Sequence, residues 1–530
     1  MRRRVCSKSN GWRVLRWTAL AAAAPALWAC TSRGLEAPAI TPTATLQTHF
    51  NQKINNQLDI LFMIDNSSSM APMQQKLYDQ LPSFMQVLQK LPTPPSLHVA
   101  VVSSDMGAPG DETGNIKCTQ YGDQGQFQFM PRSDTDLGIT CTDTTLAPGA
   151  TFISDEDMTP NFTNPDISQV FQCIAFLGDK GCGFENQLAS IDRALGADGS
   201  AAPSTNANFL RQDAYLGIVL LTNEDDCSAP PNTKLYSLGV GGSGQQNIAN
   251  ALGPLANYRC NQFGHLCKDP GGNVIAPPLD IPADAMGTSA LPTLDMTDCT
   301  SNDTTGLLTP VSQFVSDVRA LKDAPDDKIL VAAIAAPAAP YTVEWLPEYL
   351  GQNTQPGELW PSIMHSCGAK GASISGADVN PESTMSPTDG SFGDPGVRIS
   401  QFVKGFSNYV LASICDATYA ESMNAIATKL GQLITPPCIT GTIQTDGAGQ
   451  PLCSVIEHLS DGAGNTSDRS VASCAATGNA LPCWKLDTGA ASCGGQQLTI
   501  KDEPGVNTNT ESSTIDCSLC LPGSQLPGCP

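Results

Sequence analysis

Five apolar runs punctuate the chain: 58–64 (LDILFMI), 97–103 (LHVAVVS), 215–221 (YLGIVLL), 329–336 (ILVAAIAA) and 409–414 (YVLASI). None alternates with polar residues, so each reads as a strand buried on both faces of a parallel sheet. Between them, apolar residues recur at helical spacing. Met70, Met73, Leu77, Leu81, Phe84, Met85 and Leu88 make one such face, which Pro82 interrupts with an expected kink or restart. Further helices are expected over 184–195, 308–321 (Val311, Phe314, Val315, Val318, Leu321) and 420–434 (Met423, Ile426, Leu430, Ile434). Strands alternating with helices predict an α/β fold built on a doubly wound, mainly parallel sheet.

Long excursions interrupt this alternation at about 105–165, 224–304 and 338–395. They are rich in Gly, Pro, Asp, Asn and Thr and carry many of the cysteines. Structureless connections of that length are unusual in a compact domain. They are read as insertions at the rim of the sheet, stapled by disulfides. From 437 to 530 helical periodicity stops and eight cysteines fall among Gly-rich turns and short β-type runs, which predicts a small disulfide-stapled β module. Trp484, beside Cys483, is expected to pack on a disulfide. Apart from Cys6 and Cys30, ten cysteines lie between Cys118 and Cys415 and eight between Cys438 and Cys529. Even numbers in both regions predict separate sets of disulfides formed in an oxidising compartment, with connectivity left open. The spacing Cys517–Cys520 reads as structural rather than as a redox pair.

Residues 1–29 have the pattern of a targeting segment: a basic start (Arg2, Arg3, Arg4, Lys8, Arg13, Arg16), then the apolar stretch 17–28, too short to span a bilayer. The segment ends Leu27-Trp28-Ala29-Cys30, which resembles a bacterial lipobox with an unusual Trp28. The resemblance implies lipidation at Cys30, and Thr31 after it implies sorting to the outer membrane. Residues 30–53 read as a tether leading to an inserted α/β domain over 54–436. Removing residues 1–29, which hold six basic and no acidic residues, takes the formal net charge from −23 to −29. Such a surface repels nucleic acid and anionic headgroups, so membrane contact is expected through the lipid alone.

The first apolar strand runs directly into Asp65-Asn66-Ser67-Ser68-Ser69, and the amphipathic helix follows. In open α/β sheets ligands bind beyond the carboxyl ends of the strands. A carboxylate and two hydroxyls on a tight loop there are hard oxygen donors suited to Mg²⁺, Mn²⁺ or Ca²⁺. The plainer alternative is a polar turn with Ser69 as helix N-cap. This strand, Asp-x-Ser-x-Ser loop and helix resemble the von Willebrand factor A (vWA) domain, whose metal-ion-dependent adhesion site opens with the same arrangement. The resemblance implies that Ser67 and Ser69 touch a divalent cation and that Asp65 binds it directly or through water. The family's third loop, Thr-Asp-Gly, corresponds to Thr222-Asn223-Glu224. Asn223 holds the aspartate's place, and Asp225 or its acidic neighbours stand near to supply a carboxylate. The family's second loop offers a threonine before a helix. Here Gly181-Cys182-Gly183-Phe184-Glu185 has none, and Glu185 falls at the corresponding place, as a ligand or as a helix-start residue. As a ligand it shields the position that in adhesion proteins takes an acidic residue from a partner.

The expected function is therefore an envelope-anchored, cation-dependent binding module that engages a protein or glycan partner. A structural scaffold with a vestigial metal loop is the alternative, motivated by Asn223 and Glu185. Catalysis is the least favoured reading. His49, His98, His265, His365 and His458 form no H-E-x-x-H, the glycines around Ser373 miss a nucleophile elbow, and no P-loop follows a strand. Cys260, His265 and Cys267 have the types for a zinc site, but disulfides fit that compartment better.

Overall fold

The computed structural model describes residues 46–530, apart from 53–55, 92–93, 109–117, 157–158, 238–251, 254–256, 284, 286–290, 350–351, 354–358, 369–372, 375–376, 382, 384–389, 435–437, 440, 461–465, 491–494, 502–509, 525 and 530. The expected targeting segment, the lipidation site Cys30 and most of the tether lie outside the described residues.

The apolar runs become strands of one seven-stranded sheet. In chain order it uses β1 (Gln57–Ile64), β2 (Ser96–Ser103), β3 (Ile153–Glu156), β4 (Thr159–Pro160), β5 (Tyr215–Leu221), β6 (Ile329–Ala335) and β7 (Asn408–Ser413). Their spatial order is β7-β6-β5-β1-β2-β3-β4. The first five strands of that order are parallel, and β3 and β4 add an antiparallel edge. Side chains alternate along β1 between two cores. Leu58, Ile60, Phe62 and Ile64 face one layer of helices, α1 (Ala71–Gln89), α2 (Ile167–Ala175) and α6 (Ala420–Ile434). Leu61 and Met63 face the other, α3 (Gln187–Leu195), α4 (Val311–Arg319) and α5 (Val397–Lys404). Both faces being covered is why the runs show no polar alternation. Phe62 meets Phe84 of α1 and Phe171 of α2 edge-on, with ring centroids 5.6 and 4.8 Å apart. Pro82 neither breaks nor restarts α1, which continues from Ala71 to Gln89.

Two expectations need correction. A mainly parallel architecture holds only for the central sheet, because every other strand ladder among the described residues is antiparallel. The second and third excursions, read as rim loops, build a sheet together. Strands Trp360–Ile363, Tyr341–Leu346, Thr293–Ser301, His265–Lys268 and Val274–Ile275 lie side by side in that order. That sheet has its own core of Leu294, Met296, Tyr341, Val343, Trp345 and Ile363.

At the carboxyl-terminal end, two antiparallel sheets share a core of Ile439, Ile443, Val455, Val471, Trp484, Leu498, Ile515, Cys517 and Leu519. The β module is thus as expected, with Trp484 next to the Cys474–Cys483 disulfide. It has a strand from elsewhere: Leu46–Gln52, placed by sequence in the tether, pairs antiparallel with Thr510–Cys520. Eight disulfides fall among the described residues, and none crosses from one cysteine set to the other. Disulfides at this density persist in oxidising, exported compartments. Cys517 pairs with Cys453 and Cys520 with Cys529, so Cys517–Cys520 is no redox dithiol. Cys260 and Cys267 are likewise paired, with Cys227 and Cys299. Among the described residues, no helix is long and apolar enough to cross a membrane.

Candidate metal centre

The connection leaving β1 passes to the α1 layer, whereas the one leaving β5 leads to α4 in the opposite layer. Between two neighbouring strands whose connections part, a crevice opens at their carboxyl ends. The Asp65 loop occupies one side of it and Thr222-Asn223-Glu224 the other. Asp65 N donates to Leu221 O at 2.9 Å, and Thr222 N to Ile334 O at 3.2 Å, locking the loops to the strand ends.

Asp65 is fully buried. Its Oδ1 accepts from Ser67 N at 2.9 Å and Ser104 Oγ at 3.1 Å, and its Oδ2 from Thr222 Oγ1 at 2.7 Å. Burial pushes the carboxyl above its ordinary value, and these hydrogen bonds only partly offset that. Gln74 of α1 donates to Asp65 O at 2.7 Å and to Gly178 O at 2.9 Å, tying the loop to the segment that carries Glu185. Ser69 is not the N-cap: Met70 holds that position with no side-chain cap, and Ser69 Oγ donates across the crevice to Asn223 Oδ1 at 3.3 Å. Ser67 Oγ is buried and has no hydrogen-bond partner, and neither does Asn223 Nδ2.

The second loop lies against the first. Gly181 N donates to Asn66 O at 2.7 Å, and a Cβ there would lie 2.1 Å from Asn66 Oδ1, so a larger residue would have to displace the Asn66 side chain. Glu185 is 2 % exposed, with Oε1 unpartnered. Its carboxyl hydrogen-bonds that of Glu224, and burial, then the charges of Glu224 and Asp65, push it well above the usual range. Glu224, partly exposed, is raised as well, by burial and then by the charge of Asp394. Three disulfides hold the loops around the crevice: Cys118–Cys182 before Glu185, Cys227–Cys260 after Glu224, and Cys367–Cys415 at the end of β7.

Asp65, Ser67, Ser69, Asn223 and Glu185 are thus brought together. Asp225 is not. Its Oδ2 accepts from His265 Nε2 and Arg398 N, both at 2.8 Å, and its Oδ1 from Ile399 N at 3.0 Å. Burial alone would raise its carboxyl, but His265 and the two amides outweigh that and hold it below the ordinary value. The side chain caps α5 instead of facing the crevice, because the otherwise unpaired amides of that buried helix N-terminus compete for it. Asp226 is also committed, pairing with Arg398 Nη2 at 2.9 Å while both are fully shielded from solvent. The carboxylate the third loop does offer is that of Glu224.

Sequence reasoning missed Ser104, Gln74 and Asp394. Ser104 follows β2 as directly as Thr222 follows β5, which is the signal that would have found it. Asp394 bonds Asn223 O through its backbone N at 2.8 Å and His365 Nδ1 through its carboxylate at 2.5 Å, but no motif marks it. Among the described residues, no group of three or more His, Cys, Asp or Glu side chains is already arranged to hold a metal ion. The donors at the Asp65 loop are instead one carboxylate with hydroxyls, and the two glutamates are paired to each other.

No family model and no curated protein matches the chain. Pilus adhesins are among its structural neighbours. SpaC from Lactobacillus rhamnosus GG, in its open conformation, aligns over 89% of this chain and 40% of its own at 11% identity and a TM-score of 0.28. RrgA from Streptococcus pneumoniae aligns over 89% and 58% at 10% identity and 0.27. A human COPII-coat protein aligns over 90% and 46% at 9% identity and 0.27. The chain therefore spans about half the length of these proteins. Because a coat protein aligns as well as the adhesins and all TM-scores are low, the likeness selects neither a fold family nor a function.

Proposed function

We propose that this chain is a binding module of the vWA type, doubly wound, with a divalent-cation adhesion site at the β1/β5 crevice. It is held on a bacterial envelope through a lipid at Cys30 and engages a protein or glycan partner without catalysis. The observation that carries this reading is the unpartnered, buried hydroxyl of Ser67 beside the Asp65 carboxylate, at the switch point of the sheet. A buried hydroxyl without a partner is costly unless something else satisfies it. Oxygen donors on a carboxylate and hydroxyls are what Mg²⁺, Mn²⁺ or Ca²⁺ takes. When bound, the ion supplies a positive point that oxygen atoms of a partner can meet. Asp65, Ser67 and Ser69 hold it, and Asn223 fixes Ser69 through their mutual hydrogen bond.

Thermal unfolding of the oxidised chain in EDTA, then in Mg²⁺, Mn²⁺ or Ca²⁺, tests the site. Free ion at a hundred times its Kd should stabilise the fold by about 2.7 kcal/mol, a rise of several degrees. Asp65→Ala should abolish that rise. The Glu185–Glu224 hydrogen bond favours a second reading, in which the carboxyl pair ties the loops without any ion and the chain is a scaffold. That reading predicts equal melting temperatures in EDTA and in each cation.

A further inference from the structure

Building on the cation site just proposed, we infer that Glu185 and Glu224 are its selectivity residues. They make it a site for a large hard cation of the Ca²⁺ class, closed to acidic partner groups. Two glutamates from two different loops converge at the Asp65 loop, and both feel the Asp65 charge. Among the described residues, the three carboxyls accept from Ser67 N, Ser104, Thr222 and Asn257, and from no lysine or arginine. Asp65 and Glu185 are both buried, and burying carboxyl groups side by side is costly. A glutamate at 2 % exposure with an oxygen left unpartnered is a second, separate sign that a positive group belongs there. The orphaned Ser67 hydroxyl is a third.

Count and charge then decide which cation. Asp65, Glu185, Glu224, Ser67 and Ser69 offer at least five oxygen donors, more where a carboxylate binds through both oxygens. Ca²⁺ accepts six to eight oxygens in irregular geometry, whereas Mg²⁺ demands a compact octahedron and keeps most of its water. Glutamate side chains have three rotatable bonds, so the two can exchange their mutual hydrogen bond for an ion while the disulfide-pinned loops stay in place. Three carboxylates around a divalent ion leave an excess negative charge. A further carboxylate from a partner is repelled, and neutral oxygens such as glycan hydroxyls are admitted.

Calorimetric titration of the oxidised full chain with Ca²⁺ alone and with Mg²⁺ alone distinguishes the possibilities. Wild type should bind Ca²⁺ at least about tenfold more tightly than Mg²⁺, a difference of about 1.4 kcal/mol. Glu224→Gln and Glu185→Gln should each weaken Ca²⁺ binding by about that factor and narrow the Ca²⁺/Mg²⁺ ratio. Unchanged melting in EDTA shows that each variant is folded. Equal affinity for both ions in wild type overturns the inference. So does full Ca²⁺ affinity in both glutamine variants while Asp65→Ala abolishes it, a result that leaves the cation site itself standing. Wild type that takes up neither ion overturns the cation site and the inference together.

Discussion

At the scale of single residues, carboxylates decide most of what is unusual in this chain, and their surroundings separate their roles. Asp225 and Asp226 are neighbours in sequence, yet one caps α5 and the other pairs with Arg398. Neither is left for the crevice. Asp192 on α3 is a carboxyl of another kind. It is 3 % exposed, with Oδ1 unpartnered, and burial, then the charge of Asp317, push it up to about 8. In the unfolded chain it titrates near 3.8. Between these values the folded protein keeps a proton that the unfolded one releases. Its contribution to stability is fully present below the lower value and is lost as pH rises through the higher one. Asp192→Asn removes that dependence. The melting temperature of the variant should fall less than that of wild type between pH 5 and pH 9, as scanning calorimetry would read.

At the scale of elements, burial on both faces explains the success of the periodicity argument. The strands it predicted are the five parallel strands, and each of the four helices it expected is found. The helices missed include α2 and α5, short segments inside or beside the long excursions, and the shorter Tyr258–Gly264, Pro325–Lys328 and Cys474–Thr477. The strand Thr293–Ser301 was hidden for a different reason. It has one buried face, with Leu294 and Met296 inward, and polar residues between them that read as loop. Packing within the first core is aromatic at its centre. Phe62, at 0 % exposure, touches Phe84 and Phe171 from two separate helices. Phe62→Ala leaves a cavity where β1, α1 and α2 meet and should cost about 3–5 kcal/mol. Denaturant unfolding should show this as a lower midpoint with an unchanged slope.

At the scale of the molecule, the carboxyl-terminal module is closed by the segment that leads into β1. Seven residue pairs join Leu46–Gln52 to Thr510–Cys520. Without that strand, Thr510–Cys520 keeps Cys453–Ser460 on one side and loses its ladder on the other. A chain beginning at residue 53 should therefore exchange amide hydrogens faster over 510–520, with β1, β2 and β5 protected as before. Equal protection in both chains would show that the ladder adds nothing to the module.

The sequence alone determined the parallel strands, their helices, the Asp65-Ser67-Ser69 loop and the separation of the cysteines into two sets. Each is a local matter: an apolar run, a 3.6-residue period, a short loop after a strand, or a count. What only the tertiary structure decided is which distant groups meet. It assigned Glu224 and not Asp225 to the crevice, brought Ser104, Gln74 and Asp394 to its walls, merged two excursions into one sheet and paired residue 46 with residue 519. The physical reason is competition. A carboxylate goes to whichever helix end, imidazole or guanidinium offers the better hydrogen bonds, and an edge strand pairs with whichever edge is within reach. Those rivals lie tens to hundreds of residues away along the chain.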